Sequence, residues 1–233
     1  MIAPGNRARS GRAGAVRGAI VVLAKWPQAG RAKRRLGRII GSHRAARLAH
    51  AFLQDTLALA AQGAETTVVA FAPPSARRRF AALADGAILV SQPRGSFGSR
   101  LHHALDSGLV HGSVALVIGM DAPTVAPSTL RRAFRALDRA DCVLGPAIDG
   151  GYYLIGARDP LPKALFHAMP WSTPGVLAET VRRGEALGLR IALLEAAYDV
   201  DDRDGLDRLR HDRAGLRRAP TTRRALVELR LLL

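Results

Sequence analysis

The chain has 233 residues and a mass of 24.8 kDa, enough for one domain or two small ones. Its 48% hydrophobic residues provide a sizeable core and exclude wholesale disorder. The single cysteine, Cys142, excludes an internal disulfide framework and any cysteine-based zinc module. No apolar run is long enough to span a membrane, so a cytoplasmic protein is expected.

The charge is strongly positive, +16 at neutral pH, and its distribution says more than its total. Twelve Lys and Arg residues precede Asp55 and no acidic residue does, whereas carboxylates concentrate in Asp199–Asp204. A basic N-terminal third that faces acidic loops favours a metal-bridged polyphosphate. A basic nucleic-acid-binding module remains an alternative, but aromatic residues are only 5%, few for base stacking, and no zinc finger, RRM or KH pattern is present.

Apolar runs alternate with amphipathic segments along the chain. Residues 1–17 are predicted to form a disordered basic tail, 18–210 the main domain and 211–233 a helical extension. Strands are predicted over 19–24, 66–72, 87–91, 114–119, 142–146, 152–155 and 190–194. Helices are predicted over 42–61, 75–84, 98–109, 127–138, 174–187, 202–210 and 222–232. Thr173 is the expected N-cap of the helix over 174–187, with Pro174 at its first position.

This alternation predicts βαβ units, hence an α/β domain with a mostly parallel central sheet flanked by helices. Ligands bind such sheets beyond the carboxyl ends of the strands. The segments after strands are therefore the places to look for a site: 25–36, 92–98, 120–126 and 147–151.

The loop from Ala24 to Leu36 follows the first strand, as a phosphate-binding loop does. It fits neither the dinucleotide fingerprint nor the Walker A pattern. Gly30 allows a tight turn, and Lys33 and Arg35 place charge beside it. A solvated basic loop explains the pattern about as well.

Two carboxylates occupy positions where strands end. Asp121 follows the apolar run 114–119, where it can hold Mg²⁺ or Mn²⁺ together with phosphate oxygens; the alternative is that it binds loop amides or caps a helix. Asp149 lies in an Asp-Gly-Gly turn between two apolar strands, and a plain hairpin turn is the alternative there.

A third acidic segment, Asp-Val-Asp, lies near the end of the main domain. Alternation in an extended segment puts Asp199 and Asp201 on the same side, as a cation site requires. The alternative is that Asp201 or Asp202 caps the next helix.

Together these segments resemble bacterial nucleotide-diphospho-sugar-transferase-like proteins with the GT-A (Rossmann-like) fold, a group described as a domain of unknown function or as glycosyltransferases. More distantly they resemble molybdenum-cofactor and phospholactate nucleotidyltransferases. Order and spacing agree from about residue 19 to 210. Arg34 replaces the family's threonine, Phe97 replaces a leucine, and the metal motif is D-x-P. The six matching segments are A-K-x-P-x-x-G-x-x-K-T-R-L at Ala24–Leu36, Q-x-x-G-x-x-G-x-R-L at Gln92–Leu101, I-G-x-D-x-P at Ile118–Pro123, G-P-A-x-D-G-G-Y-Y-L at Gly145–Leu154, W-S-T at Trp171–Thr173 and D-V-D at Asp199–Asp201.

The resemblance implies a metal-dependent glycosyltransferase with a nucleotide-sugar donor, a small-molecule acceptor and a Mg²⁺ or Mn²⁺ cofactor. A nucleotidyltransferase that joins a nucleoside triphosphate to a phosphorylated substrate, with release of pyrophosphate, is the alternative. Asp149, Asp121 and Lys33 would be catalytic, with Asp149 as general base, and Asp121, Asp199 and Asp201 would hold the metal. The nucleotide would contact Ala24, Lys25, Gly30, Lys33, Arg35, Gln92, Gly98 and Arg100, and the acceptor would contact Gly150, Gly151, Tyr152, Trp171, Ser172 and Thr173.

Overall fold

A computed structural model describes residues 16–232, in which seven strands form one sheet. The predicted tail lies outside the described residues up to position 15, whereas Val16 and Arg17 already belong to the first strand. The strands are β1 (Val16–Lys25), β2 (Ala64–Ala72), β3 (Ile88–Ser91), β4 (Ala115–Gly119), β5 (Cys142–Pro146), β6 (Tyr152–Ala157) and β7 (Ile191–Leu193).

The strand order is β3-β2-β1-β4-β6-β5-β7. β6 runs antiparallel to its neighbours β4 and β5, and the other neighbouring strands are parallel. The mostly parallel α/β sheet is therefore confirmed. β1 lies inside the sheet between β2 and β4, and its residues 19–22 are completely buried, as a continuous apolar run in a parallel sheet requires.

The helices cover both faces of the sheet. Their bounds are α1 (Arg34–Ile40), α2 (Ser42–Gly63), α3 (Arg77–Leu83), α4 (Phe97–Leu109), α5 (Pro127–Ala136), α6 (Val176–Ala186), α7 (Arg203–His211), α8 (Arg213–Arg218) and α9 (Pro220–Glu228). Short 3₁₀ turns occur at Pro74–Ala76 and Lys163–Leu165. No helix in the described part of the chain is long and apolar enough to cross a membrane.

Three local predictions were wrong. α1 and α8 were not predicted, because each is too short to show an apolar period; in α1 only Leu36 is buried. The third error concerns Thr173, which does not cap α6. Its hydroxyl donates to the Pro170 carbonyl, and α6 begins two residues later than expected, after Gly175.

Three apolar clusters hold these elements together. The first packs α2, α3 and α5 on one face of the sheet, and the second packs α4 and the segment before α6 on the other. The third joins α1 and α2 to α7, α8 and α9 through residues such as Phe52, Leu209 and Leu226. The C-terminal helices therefore share a core with α2.

Candidate active site

A cleft of about 770 Å³ opens at the carboxyl ends of β1, β3 and β4. Both basic and acidic side chains line it. The basic ones are Lys25, Arg31, Lys33, Arg34, Arg35 and Arg100, and the acidic ones are Asp121, Asp149, Asp199 and Asp201. The structure thus brings the basic N-terminal loop and the later carboxylates into one cavity.

Lys33 is the charged centre of this cleft. It precedes α1 with left-handed backbone angles (φ 46°, ψ 54°), which turn its side chain inward until only 5% of it is exposed. Its Nζ lies 2.5 Å from an oxygen of Asp121 and 2.5 Å from an oxygen of Asp201. Burial lowers the pKa of Lys33, but the two carboxylates outweigh burial and raise it above its usual value. The side chain is therefore a fixed ammonium between two carboxylates.

The loops that carry these carboxylates are joined by their backbones. Asp121 comes directly after β4, and its carbonyl accepts a hydrogen bond from the backbone N–H of Val200 at 2.9 Å. Val200 is completely buried, whereas Asp199 and Asp201 both line the cleft, as the predicted alternation requires. Burial, followed by the charges of Asp201 and Asp149, raises the pKa of Asp199 to about 6.

The residue that caps the next helix is Asp202 and not Asp201. Asp202 caps α7 by accepting the backbone N–H of Gly205 at 3.0 Å, so Asp201 remains free for the cleft. Lining the cleft and capping the helix are therefore the roles of two different residues, Asp201 and Asp202.

The carboxylates suit a cation that is also bound by a ligand better than a metal ion bound by protein side chains alone. Among residues 16–232, no three side chains of the metal-binding types form a group that could hold an ion. Asp121 and Asp201 nonetheless converge on one point, which the Lys33 ammonium occupies. Mg²⁺ binds proteins through one or two carboxylates plus substrate phosphates. The pair therefore fits a cation that arrives with phosphate groups.

Asp149 lies at the tip of the β5–β6 hairpin and is exposed. One of its oxygens accepts the backbone N–H of Gly151 at 2.9 Å, which fixes the turn. The carbonyl of Gly150 accepts the N–H of Leu177 at 2.9 Å, which joins the turn to α6. A Cβ on Gly150 would lie 2.1 Å from the Pro174 carbonyl oxygen. The close contact with the backbone before α6 therefore holds Asp149 at the mouth of the cleft.

The Trp171–Thr173 segment forms an adjoining part of the cleft wall. Trp171 packs edge-on against Phe97 at 4.8 Å and against Tyr152 at 6.2 Å between ring centroids. Ser172 has a left-handed φ of 66° and Thr173 is exposed. All three residues of the segment line the cleft.

Some predicted site residues support the cleft without lining it. Gly98 is buried against the Phe166 carbonyl and the Trp171 indole, and Gly150 packs on Pro174. Gly30 only provides a turn with φ 74°. Gln92 does line the cleft, but its amide nitrogen donates to the carbonyls of Ala24 and Ala70, so it ties β1 to β2.

The sequence reasoning missed an apolar wall. Leu101, Val117 and Ile155 line the cleft, together with Trp26 and Phe97. Leu101, Val117 and Ile155 fall within apolar helix and strand patterns, and nothing in their spacing distinguishes a cleft wall from a core position. The observed cleft is therefore more apolar than the predicted set of site residues.

Comparison with solved structures supports the GT-A-like architecture. A protein of Desulfovibrio desulfuricans G20 with the provisional name nucleotide-diphospho-sugar transferase is 27% identical, with a TM-score of 0.82 over 91% of this chain and 95% of that one. A nucleotidyl transferase from Methanothermobacter is 15% identical, with a TM-score of 0.54 over 82% of this chain and 95% of that one, a likeness of fold alone. Both proteins are named as transferases.

A curated relative, named pseudouridine-5'-phosphate glycosidase, comes from Streptomyces griseus. It is 29% identical over 86% of this chain, which spans 60% of that protein's length.

The sequence profile of one family, described as an uncharacterized protein conserved in bacteria (DUF2064), matches residues 53–173. The match contains the segments around Gln92, Asp121, Asp149 and Trp171, and it covers more than half of the chain. This chain belongs to the DUF2064 family.

Proposed function

We propose that the protein is a nucleotide-dependent glycosyltransferase, with the nucleoside diphosphate bound where Lys33 meets Asp121 and Asp201. The observation that carries the proposal is this buried ammonium between two carboxylates, at the carboxyl ends of the strands and beneath a cleft of ligand size. The Desulfovibrio structure, whose name refers to the same chemistry, supports it.

The donor end of the cleft suits a leaving diphosphate. Lys25, Arg31 and Arg35 line it beside Lys33 and supply positive charge as the bond between the sugar C1 and the phosphate oxygen breaks. Asp121 and Asp201 would hold a divalent cation, which stabilises negative charge on the diphosphate. The electron pair of the broken bond stays on the nucleoside diphosphate.

The acceptor end supplies the base. An acceptor hydroxyl forms the new bond to C1, and its proton passes to Asp149, whose position is fixed by the Gly151 N–H. Tyr152 and Trp171 to Thr173 line the same end. Nucleotidyl transfer is the competing reaction, in which a substrate phosphate attacks a nucleoside triphosphate and pyrophosphate leaves.

The test begins with binding. Nucleoside diphosphates, triphosphates and nucleotide sugars are screened by thermal shift with Mn²⁺ and with Mg²⁺, since a ligand at a hundred times its Kd stabilises by about 2.7 kcal/mol. Ligands that bind are then assayed for nucleoside diphosphate release and for pyrophosphate release. Release of pyrophosphate alone would replace glycosyl with nucleotidyl transfer, and a panel without any binder would overturn the proposal.

Substitution of Asp149 separates chemistry from folding. We expect Asp149→Asn to lower kcat by about 10²- to 10⁴-fold, the usual contribution of a general base, with an unchanged melting temperature. Asp159→Asn is the matched control, because Asp159 is exposed and lies outside the cleft. Equal activity of the two variants would remove Asp149 from the reaction.

A further inference from the structure

Arg100, in the first turn of α4, has a buried Nε that makes no hydrogen bond to the described residues. Its guanidinium lies over the ring of Phe97, 5.7 Å from the centroid, and it lines the cleft. Buried polar groups in native proteins almost always have a partner. Because Arg100 also lines the cleft, its guanidinium is a position for an anionic oxygen of a ligand.

The surroundings of Arg100 are aromatic and apolar. Phe97 contacts Trp171 edge-on at 4.8 Å, and Tyr152 contacts the same indole edge-on at 6.2 Å between ring centroids. Below them, Leu101, Val117 and Ile155 close the cleft. A ligand here gains by burying a ring or another apolar body beside its anionic group.

This region lies apart from the Lys33 centre. The Lys33 ammonium is 5.7 Å from the ring of Phe52, which belongs to the core shared by α2 and the C-terminal helices. Leu101, Trp171 and Tyr152 belong to the core on the α4 side of the sheet. The two cationic groups thus line one cleft but lie against different apolar clusters of the domain.

We propose that Arg100, Phe97 and Trp171 form the acceptor subsite, and that the acceptor carries a phosphate or carboxylate on a ring or other apolar body. The role of this subsite as the acceptor site rests on the proposed glycosyl transfer. Its role as an anion site rests only on Arg100 and the residues around it. The assignment moves Arg100 from the nucleotide, where the family resemblance places it, to the second substrate.

Isothermal titration with phenyl phosphate, benzoate and phenol tests the subsite, and the two anions separate phosphate from carboxylate recognition. We expect saturable binding of at least one anion and none of phenol at the same concentrations. Arg100→Met should weaken anion binding by roughly 10- to 100-fold, the usual effect of a charged hydrogen bond. Arg94→Met is the matched control, because Arg94 is exposed in the loop before α4 and lies outside the cleft lining.

Lys33→Met and Arg100→Lys complete the design. Lys33→Met should leave the affinity for phenyl phosphate unchanged and lower the affinity for UDP or GDP. Arg100→Met should lower the affinity for phenyl phosphate and leave the affinity for UDP or GDP unchanged. Arg100→Lys keeps the charge but loses the guanidinium, so an intermediate loss supports the subsite even if Arg100→Met does not fold. Anion binding that depends on Lys33 and not on Arg100, or no anion binding, overturns the inference. If anion binding depends on Arg100 but no nucleotide binds, the proposed function is overturned and the anion site is still supported.

Discussion

At the scale of the residue, Lys33 shows how local strain places a functional group. Its left-handed backbone is uncommon for a lysine and costs free energy. The ion pairs with Asp121 and Asp201 offset that cost, because they satisfy an ammonium that would otherwise be buried alone. Without Lys33, the carboxylates of Asp121 and Asp201 would repel each other at close range.

This arrangement predicts opposite effects of Lys33→Met on two ligands. The affinity for Mn²⁺ alone should rise, because the ammonium that competes for the two carboxylates is gone. The affinity for UDP or GDP should fall by about 1.5–3 kcal/mol, the value of a charged hydrogen bond to phosphate. Isothermal titration of each ligand measures both effects, and Lys163→Met, at an exposed lysine outside this cleft, is the control. A lower Mn²⁺ affinity in Lys33→Met would contradict the competition.

At the scale of the element, the β5–β6 hairpin acts through its contact with the start of α6. Gly150 combines a φ of 90° with backbone contact to Pro174, so any side chain there is both strained and obstructed. Asp149 precedes it, and its direction into the cleft depends on the same turn.

We expect Gly150→Ala to lower the free energy of unfolding by about 3 kcal/mol, from backbone strain plus overpacking. Gly188→Ala isolates the strain, because Gly188 has a φ of 74° and nothing within 4 Å of the added Cβ. Its loss should be about 1 kcal/mol. Urea unfolding of both variants gives the comparison, and equal losses would show that the Pro174 contact is unimportant.

At the scale of the whole molecule, the C-terminal helices are part of the domain core. Asp55, buried in the middle of α2, accepts the backbone N–H groups of Thr221 and Thr222 at 3.0 and 2.7 Å. These are orphan donors of the first turn of α9, so a residue of α2 caps a helix 166 positions away. The predicted boundary at residue 210 therefore divides one core.

Asp55→Ala should lower the stability of the whole domain by about 3 kcal/mol, because two buried donors lose their charged acceptor. Asp55→Asn keeps one acceptor oxygen, and we expect roughly half that loss. Denaturant unfolding followed by tryptophan fluorescence reports on the sheet side, since Trp26 and Trp171 pack against the two apolar clusters on the faces of the sheet. A separate early transition without any change in the main one would mean that the C-terminal helices unfold independently.

The sequence by itself determined the alternation of strands and helices, because burial on both faces imposes apolar runs and an amphipathic face imposes a 3.6-residue period. It also singled out Lys33, Asp121, Asp149, Asp199 and Asp201, all of which line the cleft. Only the tertiary structure decided that Lys33 neutralises two carboxylates, that Gln92 joins strands, and that Leu101 and Ile155 line a cleft. Those roles depend on distances between residues far apart in the chain, and a local pattern carries no information on such distances.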